Sequence, residues 1–301
     1  MTIQKDKSRR KIRENRMQNA SYKGPLTVMM ILFFIYSFAL IVPIFWVCMN
    51  TLKERMDFLN NPWAFPSQPW KYISNYTIIF TNENFNVGIM LFYTVIYSVS
   101  VPTVGMFAHL IVAYAYAKYE FPWKKFLYWC MVIPMFVVLL GSGAARYKLL
   151  NDIFAYDRMW WYILVTNMSG GGFYFLLFVG VFQNISDSYR EAAMLDGAGR
   201  FRIFIQIYLP QTMSLLSALW IMQFIGVWNE FDSIMLYLPS YRTLATGIYL
   251  LSSEIEKGGE FQKDYPKLFA TMICSIIPVL ALYIVFQDTI MKMTFGGGVK
   301  G

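Results

Sequence analysis

The sequence predicts an all-α integral membrane protein with six transmembrane helices and both termini cytoplasmic, and three observations carry that prediction. The 301 residues are 57% hydrophobic and 19% aromatic but only 15% charged, with a mean hydropathy of +0.42. A soluble domain carries roughly a quarter charged residues and about half apolar ones, so both departures point to a bilayer. Six stretches are long and apolar enough to cross one. Lysine and arginine are distributed unevenly between the segments that join them.

The hydrocarbon core is about 30 Å thick and a helix rises about 1.5 Å per residue, so a span needs about 20 mainly apolar residues. The stretches are Leu26–Met49, Gly88–Tyr116, Phe126–Ala145, Trp160–Gln183, Thr212–Asn229 and Leu268–Met291. The first follows a basic tail, residues 1–25, and its apolar run is too long for a removable signal. Its exit, Phe45-Trp46-Val47-Cys48-Met49-Asn50-Thr51-Leu52-Lys53, lacks small residues for cleavage, and Trp46 and Val47 spoil a lipoprotein reading of Cys48. The third is interrupted by Pro134, and the fifth ends at the approach to Glu230. The fourth contains Gly170-Gly171-Gly172, which permits a bend or close helix approach, as do Gly141 and Gly143 around Ser142. The transmembrane domain thus runs over residues 26–295, followed by a Gly-rich tail, 296–301, expected to be flexible.

With the N-terminus inside, the tail contributes Lys5, Lys7, Arg9, Arg10, Lys11, Arg13, Arg16 and Lys23 to the cytoplasmic side. Lys118, Lys124 and Lys125, then Arg190, Arg200 and Arg202, then Lys292 and Lys300 add to it, giving 16 of the 26 basic residues inside. That is the orientation the positive-inside rule favours. Directly before a span, the tail reads as a topology signal ahead of a grip on nucleic acid or anionic lipid. Trp46, Trp123, Trp160 and Trp161 fall near span ends, where an amphipathic ring prefers the headgroup level. Two long segments face outside. Asn50–Val87, with three prolines and two tryptophans, is expected to fold compactly at the membrane face. Leu238–Lys267, with Glu254, Glu256, Glu260 and Asp264, is a candidate docking surface.

Several chemistries find no support. Cys48, Cys130 and Cys274 lie in apolar runs without metal-ligand or disulfide spacing and read as small buried hydrophobes. His109, the only histidine, sits in the second span without a nearby carboxylate or cysteine cluster and reads as a packing or hydrogen-bonding residue. No metal site is expected. Glu230 and Asp232 read as headgroup-zone residues ahead of pathway-lining ones. The pattern G-x-x-x-x-G-K-[ST] is absent, so no P-loop nucleotide site is expected, and the chain is not expected to be an enzyme. A secondary transporter or channel usually buries ionisable groups at mid-membrane, and these spans hold almost none beyond His109. A scaffold protein with no cargo is the other rival class.

The informative stretch, residues 186–210, joins the fourth and fifth spans on the cytoplasmic side. Ser188 and Glu191 fit an S-x-x-E capping box at the start of a short helix, and Gly197 suits the left-handed position that ends it. A second helix should present Phe201, Phe204, Ile205 and Tyr208 on one face, with Pro210 breaking the pattern and opening the fifth span. Arg200 and Arg202 can reach headgroups. Taken by pattern alone, this elbow is equally an interfacial connector or a docking lever to which small Ala192 and Ala193 allow close approach.

The same residues resemble the EAA motif of permease subunits in binding-protein-dependent ABC importers. Glu191, Ala192 and Ala193, then Gly197, then Ile207, Leu209 and Pro210 stand at the motif's spacing, with Asp196 beside the glycine. Asn50-Thr51-Leu52-Lys53, Ala113-Tyr114-Ala115-Tyr116-Ala117 and Trp228-Asn229-Glu230-Phe231 look like the carbohydrate, maltose-type branch. The resemblance implies a type I ABC importer permease fold in a multi-pass plasma-membrane protein that forms half a sugar or oligosaccharide pathway. Its implied partners are a second homologous permease, two ATPase subunits that use ATP and magnesium, and an extracellular solute-binding protein, but no nucleic acid. Glu191, Ala192, Ala193, Asp196, Gly197, Ile207, Leu209 and Pro210 would form the ATPase-coupling surface, and this chain would bind no cofactor itself. The substrate-binding residues are unknown. An amino acid, peptide or polyol cargo is the alternative within the class.

Overall fold

The computed structural model describes residues 2–83, 85–136, 143–168, 172–257 and 263–296, and these are helical with no strand among them. They fall into two compact units, Met1–Asn75 and Tyr76–Gly301.

In the first unit, helix α1 (Thr2–Thr51) carries the basic tail into the first span without a break, through Pro25 and Pro43. Its apolar portion, Gly24–Thr51, is long enough to cross a membrane. Beyond it lie α2 (Arg55–Asn60) and α3 (Pro69–Tyr72), started by a proline whose fixed φ suits a first helical turn. Helix α4 (Ser74–Thr81) crosses from the first unit into the second.

The second unit is organised around α5 (Val87–Lys118), whose first turn is capped by the Asn86 side chain accepting from the Ile89 amide at 3.1 Å. Buried residues recur along all of α5, from Met90 and Tyr97 through Val101 and Met106 to Leu110 and Tyr114. Three apolar clusters therefore share this one helix. Toward its C-terminal end, Met106, Leu110 and Tyr114 meet Phe175, Phe178, Phe182, Tyr208 and Leu216. Toward its N-terminal end, Met90 packs with Phe224, Trp228, Leu244, Leu251 and Leu268. Between them Tyr97 and Val101 meet Met159, Tyr162, Ile163, Val227 and Tyr237. Inside a bilayer such contacts act by close packing and interhelical hydrogen bonds, because lipid tails are as apolar as leucine. One such bond runs from Trp220 Nε1 to Thr103 Oγ1 at 3.0 Å.

Four described helices are long and apolar enough to span: Gly24–Thr51, Val87–Lys118, Arg200–Trp228 and Tyr265–Gln287. They account for the first, second, fifth and sixth expected spans. The third and fourth differ from the expectation of single helices. The third comprises α6 (Lys124–Val132), a 3₁₀ turn at Ile133–Met135 and, after six residues outside the described set, α7 (Gly143–Asp152). Pro134 has no amide to continue the ladder, which accounts for the narrowing. The fourth comprises α8 (Met159–Asn167) and α9 (Phe173–Asn184), separated at Gly172, whose φ of +86° suits a residue without a Cβ. The Gly172 amide donates to the Met131 carbonyl at 2.8 Å, so one backbone group freed by the interruption is paired with the other segment. The bend expected at the glycines is present at Gly172; Gly141, Ser142, Gly170 and Gly171 lie outside the described residues.

Cys274 is half-buried, but Cys48 and Cys130 are exposed, contrary to the expectation of buried thiols. His109 is buried, its Nδ1 at the Gly105 carbonyl and its ring edge-on to Tyr174, as a packing role requires. Trp123, Trp160 and Trp161 are exposed. Of the acidic docking candidates, Asp264 is committed to an ion pair with Lys267 at 2.6 Å, Glu256 is exposed, and Glu260 lies outside the described residues. Glu254 and Glu256 lie within α14 (Leu244–Lys257), which buries Leu244, Gly247, Leu251 and Ile255 on one face. Helix α15 (Tyr265–Gly296) completes the unit and includes the last span; residues 297–301 of the Gly-rich tail are outside the described set.

Candidate coupling elbow

Residues 186–210 fold as two helices meeting at a tight corner. Helix α10 (Ser188–Leu195) closes with the Ala198 amide donating to the Ala193 carbonyl at 2.9 Å and the Gly197 amide donating to the Met194 carbonyl at 3.1 Å. This is the Schellman arrangement, and it requires Gly197 to be left-handed, which it is at φ +77°. Ala193 and Ala198 pack against the apolar cluster beneath the corner. The helix start differs from the expectation. Ser188 is the first helical residue and not its cap, and the residue before it, Asp187, makes no capping bond. The Ser188 hydroxyl instead lies 2.8 Å from that of Ser186, so the expected exchange with Glu191 is not formed.

Asp187 is otherwise engaged. The Lys118 ammonium, at the end of α5, donates to Asp187 Oδ1 at 3.0 Å and to the Ile185 carbonyl at 2.6 Å. The lysine side chain is only 4% exposed, so these bonds are sheltered on one side. The Lys118 hydrogen bond, opposed by a smaller burial effect, holds the Asp187 carboxyl below its usual range. Arg190 Nη1 returns a bond to the Lys118 carbonyl at 3.0 Å, and the Lys118 ammonium lies 5.4 Å from the Tyr208 ring centre. The elbow is thereby tied to α5 from both of its arms.

The second arm, α11 (Arg200–Ile203), passes into a π-helical turn at Phe204–Tyr208 and then into α12 (Leu209–Trp228), forming one unbroken helix. Pro210 stands in the first turn of α12, and the wider turn ahead of it accommodates the missing amide and the ring. The proline therefore does not break the helix as expected. The π turn also rotates the buried face. Ile203, Phe204, Ile207 and Tyr208 face the core, whereas Phe201 and Ile205, expected on that face, are 76% and 42% exposed. Phe204 and Tyr208 pack with tilted rings against Tyr114 of α5, with ring centres 4.8 and 5.0 Å away.

The eight candidate coupling residues divide accordingly. Ala193, Ile207 and Leu209 are half-buried and hold the elbow to the core, while Glu191, Ala192, Asp196, Gly197 and Pro210 are exposed. Beside them the corner presents Leu195, 90% exposed, Met194 at 53% and Phe201 at 76%. Carboxylates at Glu191 and Asp196 border this apolar tip. Such a surface can seat in a groove on another protein; among the described residues there is no cluster of His, Cys, Asp or Glu that could hold a metal ion. Sequence reading missed Lys118 and Tyr114 as supports of the elbow and the pairing of Asp187 within it, because Lys118 and Asp187 are separated by 69 residues and no spacing rule links them.

Residues 89–292 match the family model for the binding-protein-dependent transport system inner membrane component. The chain belongs to this family. It is accordingly a multi-pass protein of the plasma membrane and the permease component of a binding-protein-dependent transport system. The diacetylchitobiose uptake system permease protein NgcG of Streptomyces coelicolor is 29% identical over 264 residues, 86% of this permease and 84% of the relative. The sn-glycerol-3-phosphate transport system permease protein UgpE of Yersinia enterocolitica is 24% identical over 206 residues, 68% and 72% of the two chains. The fold is shared with a bacterial ABC transporter involved in import of the acidic polysaccharide alginate, at a TM-score of 0.70 and 21% identity, covering 87% of this permease and 94% of that chain.

Proposed function

We propose that this permease forms half of the translocation pathway of an ATP-driven importer for a sugar or oligosaccharide. The observation that carries the reading is the elbow: a corner anchored to α5 by Lys118 and presenting Leu195 and Phe201 to solvent, where an isolated connector has no reason to expose them. In this reading Glu191, Ala192, Ala193, Asp196, Gly197, Ile207, Leu209 and Pro210 form the surface that meets an ATPase subunit. Six spans with both termini cytoplasmic put the elbow and the basic tail on the ATPase side. The assembly comprises this chain, a second homologous permease, two ATPase subunits and an extracellular solute-binding protein. ATP and magnesium are used by the ATPases, and this chain binds neither; the work is transport and not catalysis. A two-state permease is biased at one end by nucleotide and at the other by loaded binding protein.

Carbohydrate cargo is supported by the diacetylchitobiose and alginate systems among the similar proteins. The glycerol phosphate relative supports a second reading, a small polyol phosphate. Purification of the tagged permease from its native membrane tests the proposal. It should bring down an ATPase and a second permease, and vesicles containing that complex should hydrolyse ATP faster when a loaded binding protein is added. Solute movement by this chain alone, with no hydrolysing subunit, would refute it. The ligand on the co-purifying binding protein decides between the two cargoes.

A further inference from the structure

Just beyond the first span the chain closes into a hydrogen-bonded loop. The Lys53 ammonium donates to the carbonyls of Asn61 and Pro62, each at 3.1 Å, and the Asn75 side-chain amide donates to those of Thr51 and Lys53 at 2.9 and 3.0 Å. Lys53 is buried, 1% exposed, which pulls its ammonium below the ordinary lysine range against the opposing pull of Asp57. A lysine is rarely placed this way unless its geometry matters. Here it fixes the residues immediately before Trp63. The consequence is that the segment turns back alongside the span it has just left. Trp63 lies with its ring centre 5.6 Å from that of Trp46, and Phe58 lies 6.0 Å from the same ring. Trp46 stands five residues inside the helix end at Thr51, about 7.5 Å along its axis. Trp63 is thus held at the depth of the final turns of a membrane span, yet it is 72% exposed, with Phe65 at 77% two residues on. Arg55 and Lys71 are exposed in the same unit.

We propose that this loop is a membrane anchor in which Trp63 and Phe65 enter the phospholipid headgroup layer at the C-terminal end of the first span, held there by Lys53. The occupant is lipid, since the loop holds an exposed indole against Trp46 at the depth of the span's last turns, and an amphipathic ring at this depth partitions to the headgroup boundary. Arg55 and Lys71 supply cations for phosphate. The assignment rests on α1 crossing the bilayer and not on the nature of the cargo, so it can fail while the import reading stands.

The test uses the full chain with Cys48, Cys130 and Cys274 replaced by alanine and one spin label at Trp63→Cys or Phe65→Cys. It is reconstituted alone into vesicles of phosphatidylethanolamine and phosphatidylglycerol. Collision rates with oxygen, which concentrates in lipid, and with a water-soluble nickel chelate are compared with those of the same label on a soluble peptide. The expected oxygen-to-nickel ratio is several-fold above the peptide value at both sites, and Lys53→Met should return the label at 63 toward that value. A ratio equal to the peptide value, marking an aqueous loop, overturns the proposal. So do low collision rates with both reagents, which mark a protein contact. Should Lys53→Met fail to fold, the two labels beside native Lys53 decide the question by themselves.

Discussion

Replacing Gly197 separates what the elbow needs from its own backbone from what it needs from a partner. At φ +77° a residue with a Cβ is strained by about 1–2 kcal/mol, less for asparagine. Space is not the difficulty, because a Cβ built on Gly197 meets nothing within 4 Å. Gly197→Ala should therefore weaken the corner through the backbone alone, lowering the population of the closed elbow by about 5- to 30-fold relative to its opened forms. Gly197→Asn should sit between alanine and wild type. Gly197→Trp carries the same backbone strain as alanine, so any further loss measures the surface of a docked ATPase over the glycine. The assay is binding-protein-stimulated ATP hydrolysis by the reconstituted complex, with amide exchange at residues 193–198 recording the corner separately. Loss of protection in the order Trp ≈ Ala > Asn, with loss of coupled hydrolysis greatest for Trp, is the expected pattern. Wild-type coupling in both Ala and Trp variants would refute the reasoning.

Other outcomes follow from the same contacts. Leu195→Asp and Phe201→Asp should leave folding unchanged, both side chains being largely exposed, while reducing ATPase co-purification by at least about tenfold, as loss of a central apolar anchor does. Lys118→Met should free the elbow from α5 and raise proteolysis within residues 186–210. Because Lys118 depresses the Asp187 carboxyl, the contribution of this pair is present above the ordinary aspartate pKa of about 3.9 and is lost as pH falls through the lower folded value. Elbow protection should thus be flat from pH 7 to about 5 and fall only in stronger acid, and Asp187→Asn should abolish that acid dependence. Gly247→Ala should destabilise the permease by about 1–3 kcal/mol, because the new methyl would overlap the buried Met90 sulfur. Combined with Met90→Ala, the measured loss in thermal unfolding should be less than the sum of the single changes.

The parts of this fold legible in the sequence were those governed by a local rule. Apolar length marked Val87–Lys118 and the last span to within a few residues, and one glycine at the end of a short helix marked the corner at Gly197. Long-range partners were not legible. Ser188 and Glu191 satisfy the capping pattern, but their neighbour Asp187 is drawn to a lysine 69 residues earlier, a pairing the local pattern cannot register. The exposed positions of Phe201 and Ile205 were missed for a different reason: a period of 3.6 assumes an α turn, and the π turn before Pro210 inserts one residue into the count. Pro134 and Gly172 were noticed, but hydropathy alone could not weigh an apolar stretch against the breaks inside it.

The continuity of Arg200–Trp228 has a mechanical meaning. Twenty-nine residues without interruption make a rod about 43 Å long, rooted in the elbow and long enough to cross a bilayer. Its one π-helical turn among the described residues lies at Phe204–Tyr208, where the rod passes Tyr114. In the proposed coupling, a twist applied at the corner would pass through this wider turn before any of it reached Trp228.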